Sequence, residues 1–212
     1  MAEKSNFMKL LDNYWYHYKW HTIIALFLVV TVGVSVTQCA VKPNYDQSAV
    51  LYCDRTVMEN TALALEMELT KHSDDLNGDG ETLFGVYNVS YDSDGTNPQN
   101  AAYANSQKLM VMVSSADYVL YIVDEYGYKR LMTEDNMQLF ETYDFLPDKE
   151  GTAWNWKGSA LQETMKDSKL PENLYFCIRK VAGTAAQGDE DAIKRAEHAA
   201  ELLQNLIKDV EK

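Results

Sequence analysis

Asp117 to Glu125 reads DYVLYIVDE. Between its acidic ends, Tyr118 to Val123 is uncharged and rich in Val, Ile and Tyr, which marks a short strand. The apolar character is nearly continuous instead of alternating, as expected for a central strand covered on both faces. Ser48 to Asp54, SAVLYCD, has the same character. Leu83 to Tyr91, LFGVYNVSY, alternates more and suits an edge or half-covered position. Glu172 to Lys180, ENLYFCIRK, supplies a fourth strand.

Helical patterns lie between these strands. Thr56 to Lys71 opens with a capping box of Thr56 and Glu59 and repeats apolar residues at Met58, Ala62, Leu65 and Leu69. Asn100 to Ser114 follows Pro98, and a shorter piece covers Tyr126 to Glu134. Asp189 to Val210 places Ile193, Ala196, Ala200, Leu203, Leu206, Ile207 and Val210 on one stripe with charges opposite. Residues 137–171, which contain Pro147, Gly151, Trp154, Trp156 and Pro171, read as irregular. The alternation of strand and helix predicts an α/β fold: a three-layer domain over 42–212 with a mainly parallel sheet of about four strands.

The amino-terminal region is of another kind. From Thr22 to Val41 there are twenty residues, TIIALFLVVTVGVSVTQCAV, without Asp, Glu, Lys, Arg or His. As a helix they span about 30 Å, the thickness of a hydrocarbon core. Tyr14, Trp15, Tyr16, Tyr18 and Trp20 precede them as an interfacial belt, with Lys19 able to snorkel beside the rings. The reading is a short cytoplasmic segment with its aromatic belt at 1–21, a transmembrane helix at 22–41, and the domain outside. Lys4, Lys9 and Lys19 before the span, against Lys42 and Arg55 just after it, place the amino terminus in the cytoplasm by the positive-inside bias. A cleaved secretory signal is the rival; its apolar core is typically about 7 to 15 residues, shorter than this run.

Of the 19 basic and 32 acidic residues, the first 42 positions hold 4 and 2, leaving 15 against 30 for the domain. A surface of that sign repels phosphate backbones, which excludes nucleic acid as a partner and favours cations or basic proteins. Cys53 and Cys177 both sit in apolar runs, so two buried free thiols are expected, with a disulfide between neighbouring strands as the alternative.

The most motif-like stretch is DLNGDG, Asp75 to Gly80. Asp75, Asn77 and Asp79 present alternate oxygens and Gly80 a sharp turn, the first half of a calcium loop. The twelfth position, where a bidentate Glu belongs, is Val86; a plain polar turn is the competing reading. YDSDGTN, Tyr91 to Asn97, is a second acidic turn. Asp54 and Asp124 end two central strands, at the carboxyl edge where open α/β sheets gather ligands. They are candidate ligand residues, with helix capping as the ordinary alternative. Trp154, paired with Trp156 in WNWKG, is a third candidate, as an aromatic platform or as core. No nucleophile elbow, phosphate loop or dinucleotide fingerprint is present, so no catalytic activity is expected.

With NYWYHYKWHTIIALFLVV at Asn13 to Val30, then YDQSAVLYCD and DLNGDG, the chain resembles a group of uncharacterised single-pass membrane proteins of anaerobic Gram-positive bacteria. SSADYVLYIVDE, Ser114 to Glu125, is similar to part of one lobe of extracellular solute-binding proteins. Two functions are therefore expected in competition: a membrane-anchored extracytoplasmic interaction domain that binds an envelope protein, or a small-ligand sensor acting as a single solute-binding lobe.

Overall fold

The computed structural model describes residues 6–40, 44–54, 56–95, 99–115, 117–131, 139–147, 151–182 and 186–208. The chain divides into two compact units, Met1–Asn44 and Tyr45–Lys212. In the first, α1 (Asn6–Ala40) is one uninterrupted helix through the aromatic belt and the apolar run. Its stretch Asn13–Thr37 is long and apolar enough to cross a membrane. Thr31, Ser35 and Thr37 donate their hydroxyls to the carbonyls of Phe27, Thr31 and Gly33, so the span hides its polar groups within itself. Tyr14 and Tyr18, one turn apart, stack with ring centroids 5.4 Å apart.

The second unit is an α/β fold. In chain order it contains β1 (Gln47–Asp54), α2 (Glu59–Thr70), β2 (Phe84–Tyr91), α3 (Gln99–Ser114), β3 (Leu120–Asp124), α4 (Glu125–Leu131), β4 (Ala153–Asn155), α5 (Ala160–Thr164), β5 (Leu174–Ile178) and α6 (Glu190–Lys208). The sheet order is β2-β1-β3-β5-β4. The two continuous apolar strands, β1 and β3, are interior and β2 is an edge, as their patterns predict. Two outward amides at the start of that edge are covered. Phe84 N donates to Thr70 Oγ1 at 3.3 Å and Val86 N to Glu66 Oε1 at 2.8 Å, so side chains of α2 blunt a strand that could otherwise pair with another chain.

The sheet is mixed, which corrects the mainly parallel, four-stranded expectation. β1 runs parallel to β2 and β3, whereas β5 runs antiparallel to β3 and β4. The chain passes from β4 through α5 and re-enters between β3 and β4 in the opposite sense, a reversal that strand and helix alternation does not encode. β4 itself has only three residues, inside the region read as irregular.

Two cores flank the sheet. On one face Leu51, Ile122 and Phe176 pack against Leu65 and Leu69 of α2 and Leu202, Leu203 and Leu206 of α6. On the other, Val50, Tyr121 and Val123 meet Met112 of α3 and Leu131 of α4. Helix α6 thus covers the sheet, starting where Asp189 Oδ1 accepts the amides of Asp191 and Ala192. Its buried stripe is rotated from the expected one: Ala192, Ala199 and Leu202 are inside and Ile193 is exposed; Val210 lies outside the described residues. The Thr56 and Glu59 capping box does not form. Met58 is the N-cap of α2 with no side-chain bond, and the Thr56 hydroxyl meets Ser90 Oγ at 3.0 Å. Cys53 and Cys177 are buried, form no disulfide, and belong to the cores on opposite faces, which leaves them no path to one.

Candidate functional site at the carboxyl edge of the sheet

The chain leaves β1 toward β2 and returns from β2 to β3, so the carboxyl ends of β1 and β3 flank the point where the strand order reverses. Asp54 and Asp124 meet there, as their positions predict. Asp124 Oδ2 accepts the backbone N–H of Asp54 at 2.7 Å. Its Oδ1 accepts the Tyr91 hydroxyl at 2.5 Å and the Gly127 amide at 2.7 Å. The last bond makes Asp124 the N-cap of α4. The carboxylate is buried, and three donors compensate its desolvation.

Asp54 takes the other route. Its carboxylate accepts Ser93 N at 3.0 Å and Ser93 Oγ at 2.7 Å, pinning the turn after β2 instead of capping α2. Of the acidic turn read at Tyr91 to Asn97, Ser93 is thereby held by β1, and residues 96 and 97 lie outside the described residues. Gly127 leaves no room for a side chain: a Cβ there would lie 3.0 Å from Asp124 Oδ1 and 3.2 Å from the Tyr52 carbonyl oxygen.

Aromatic rings close the reversal point. Tyr91 packs against Tyr52 at 4.9 Å and stacks on Tyr126 at 5.1 Å. Burial, followed by the hydrogen bond to Asp124, pushes the Tyr91 phenol above its ordinary pKa. Burial also raises that of Tyr52, while the nearby Arg130 guanidinium acts in the opposite direction. Beside these rings an apolar cavity of about 320 Å³ opens between α3 and α4, lined by Tyr52, Leu109, Met110, Val113, Arg130 and Phe140. None of the tyrosines, nor Arg130, stands out as a motif. The one available signal is that Tyr52 and Tyr91 lie at the carboxyl ends of their strands, in LYCD and VSYD.

Trp154 does not join this edge. It is 4% exposed, with its ring 5.2 Å from Phe176 in the core shared by α2 and α6. Trp156 is buried on the same side and donates its indole N–H to Glu172 O at 3.1 Å. The pair faces one way, as an extended WNW requires, and that way is inward.

The DLNGDG loop closes on itself. Asp75 accepts the amides of Gly78 and Gly80, Asn77 that of Asp79, and Asp79 that of Glu81. Gly78 and Gly80 sit at φ +73° and +87°, which only glycine takes without strain. Sequence reasoning missed the anchor beneath the loop. Buried Asp46 accepts Leu76 N at 2.9 Å, Asn77 N at 3.1 Å and Leu83 N at 2.8 Å, tying the loop to the start of β1. Val86, at the twelfth position, is already in β2.

No protein-family model, curated protein or solved structure matches the chain. The functional reading therefore rests on the fold and on the chemistry of these residues alone. Asp124 has its acceptor capacity committed to two amides and a phenol, which is the arrangement of a structural latch.

Proposed function

We propose that this protein is a membrane-anchored interaction domain of a bacterial envelope, with α1 lodged in the lipid bilayer, the amino terminus in the cytoplasm and the α/β domain outside, binding another envelope protein without catalysis of its own. The observation that carries this reading is the state of α3. It crosses from β2 to β3 with Met112 as its buried contact, while Tyr103, Met110 and Val111 are 65%, 72% and 68% exposed, Met110 at the wall of the apolar cavity. Large apolar side chains clustered on one helix face support a protein interface. The partner this surface fits carries apolar side chains for α3 and a basic surround, since the domain has 30 acidic residues against 15 basic. The closed reversal point supports the same reading, because Asp124 and the tyrosines fill the place where α/β folds receive small ligands. A photo-crosslinking amino acid at Tyr103 or Met110 of the full chain in native membranes tests it. A discrete adduct is expected, and the one formed from Tyr103 is abolished by Met110→Glu on the same face; no adduct from either position overturns the proposal.

A second reading is favoured by the cavity itself. At about 320 Å³, apolar and with Arg130 on its wall, it is large enough for a small amphipathic anion, as a single-lobe sensor requires. Thermal-shift screening of the full chain against amino acids, sugars, peptides and fatty acids separates the two. A hit lost in Arg130→Ala supports the sensor, and no hit across these classes removes it.

A further inference from the structure

Asp74, in the loop between α2 and β2, stands beside His198 and Glu201 of α6. Each offers one ligand atom, and these atoms all lie within 4.8 Å of one another. His198 and Glu201 are three residues apart and share a helix face, with Nδ1 3.1 Å from Oε2.

Both sides of this group are held in place by neighbours. Ala199 and Leu202, each following a helix ligand in sequence, are 1% exposed in the core and fix the rotation of α6. On the loop side, Ser73 donates its hydroxyl to Leu69 O at 2.9 Å, and Asp75 is occupied by Gly78 and Gly80. The chain is therefore pinned immediately before and after Asp74. Asp75, Asn77 and Asp79 spend their oxygens on the loop's own amides, whereas the Asp74 carboxylate makes no hydrogen bond among the described residues and faces the α6 pair instead.

Two carboxylates this close repel unless a cation lies between them. One imidazole nitrogen with two carboxylate oxygens suits a borderline divalent ion, whereas calcium takes oxygen ligands only. Zinc bonds to such donors are about 2.0–2.2 Å long, so the three ligands must draw closer together around the ion. Their exposure permits it: the His198 and Glu201 side chains are 32% and 63% accessible. We propose that Asp74, His198 and Glu201 form a three-ligand site for a divalent transition metal, zinc foremost, with water as the fourth ligand, and that the ion clips α6 to the α2–β2 loop.

The test uses the full chain in detergent micelles, with His17→Ala and His21→Ala as the background so that the imidazoles of α1 do not contribute. Zinc chloride is titrated calorimetrically into metal-free protein, and melting is followed with zinc and with calcium. One equivalent of zinc is expected to bind and, at a hundred times its Kd, to raise the melting temperature by about 5 °C. His198→Ala and Asp74→Ala each abolish both effects while leaving the metal-free circular dichroism unchanged; Asp79→Ala retains both. Cobalt in place of zinc gives a tetrahedral visible absorption band that His198→Ala removes. Absence of zinc binding, or binding that survives His198→Ala, overturns the proposal.

Discussion

The carboxylate of Asp124 accepts the backbone N–H of Asp54 at 2.7 Å, joining the ends of two neighbouring parallel strands that lie 70 residues apart in the chain. The same side chain accepts from Tyr91 and Gly127, so β1, β2, β3 and α4 meet at one buried group. Asp124→Ala leaves three donors without their acceptor. We expect a loss of about 3 kcal/mol in unfolding free energy by urea denaturation, against about 1 kcal/mol for Tyr91→Phe. Because the two side chains share a hydrogen bond, the double variant departs from additivity by more than about 0.5 kcal/mol. Strict additivity in that cycle would remove the latch.

Alkaline pH weakens the fold. Burial first, then Asp124, raises the Tyr91 phenol; burial followed by Glu141 and Glu197 pushes Tyr143 up to about 12; burial also raises Cys53 and Tyr121. In each case the unfolded chain releases its proton at lower pH than the folded one. The stabilisation is complete below the ordinary value, near 9 for the thiol and 10 for the phenols, and is lost as pH climbs through the folded value. Unfolding free energy therefore falls steadily from about pH 9 toward pH 12. Tyr143→Phe flattens the slope. Phenolate absorbance measured alongside denaturation checks that the tyrosines ionise on unfolding and not before.

On α3, neighbouring methionines have opposite expected effects. Met112 is 5% exposed in the core beneath the helix, and Met112→Ala costs about 2–3 kcal/mol. Met110 is exposed, and Met110→Glu stays within about 0.5 kcal/mol of the parent while removing the crosslinked adduct. Denaturation curves and crosslinking on the same two variants separate packing from recognition.

The calcium-loop spelling at Asp75 to Gly80 has a structural counterpart in Asp46. Asp46→Ala frees the buried amides of Leu76, Asn77 and Leu83 and lowers stability by about 2–3 kcal/mol. Asp75, Asn77 and Asp79 already serve loop amides, and the twelfth-position carboxylate is missing, so metal-free protein is expected to melt at the same temperature with calcium added and without it. A calcium-dependent rise that Asp75→Asn abolishes would reassign the loop to ion binding.

Much of this molecule is written locally. The uncharged run after Trp20 specifies an apolar helix, DYVLYIVDE and SAVLYCD specify interior strands, and LFGVYNVSY specifies an edge, because side-chain periodicity and burial act within a few residues. Asp124 at a strand end before a helix is likewise legible as a cap. Other features depend on partners far along the chain. The insertion of β5 between β3 and β4, the inward turn of Trp154, the service of Asp54 to the turn after β2 and the meeting of Asp74 with His198 have no local signature. Periodicity decides what kind of element a segment becomes. Which elements become neighbours, and in which direction they run, is decided by the mutual burial of faces that only the assembled domain brings together.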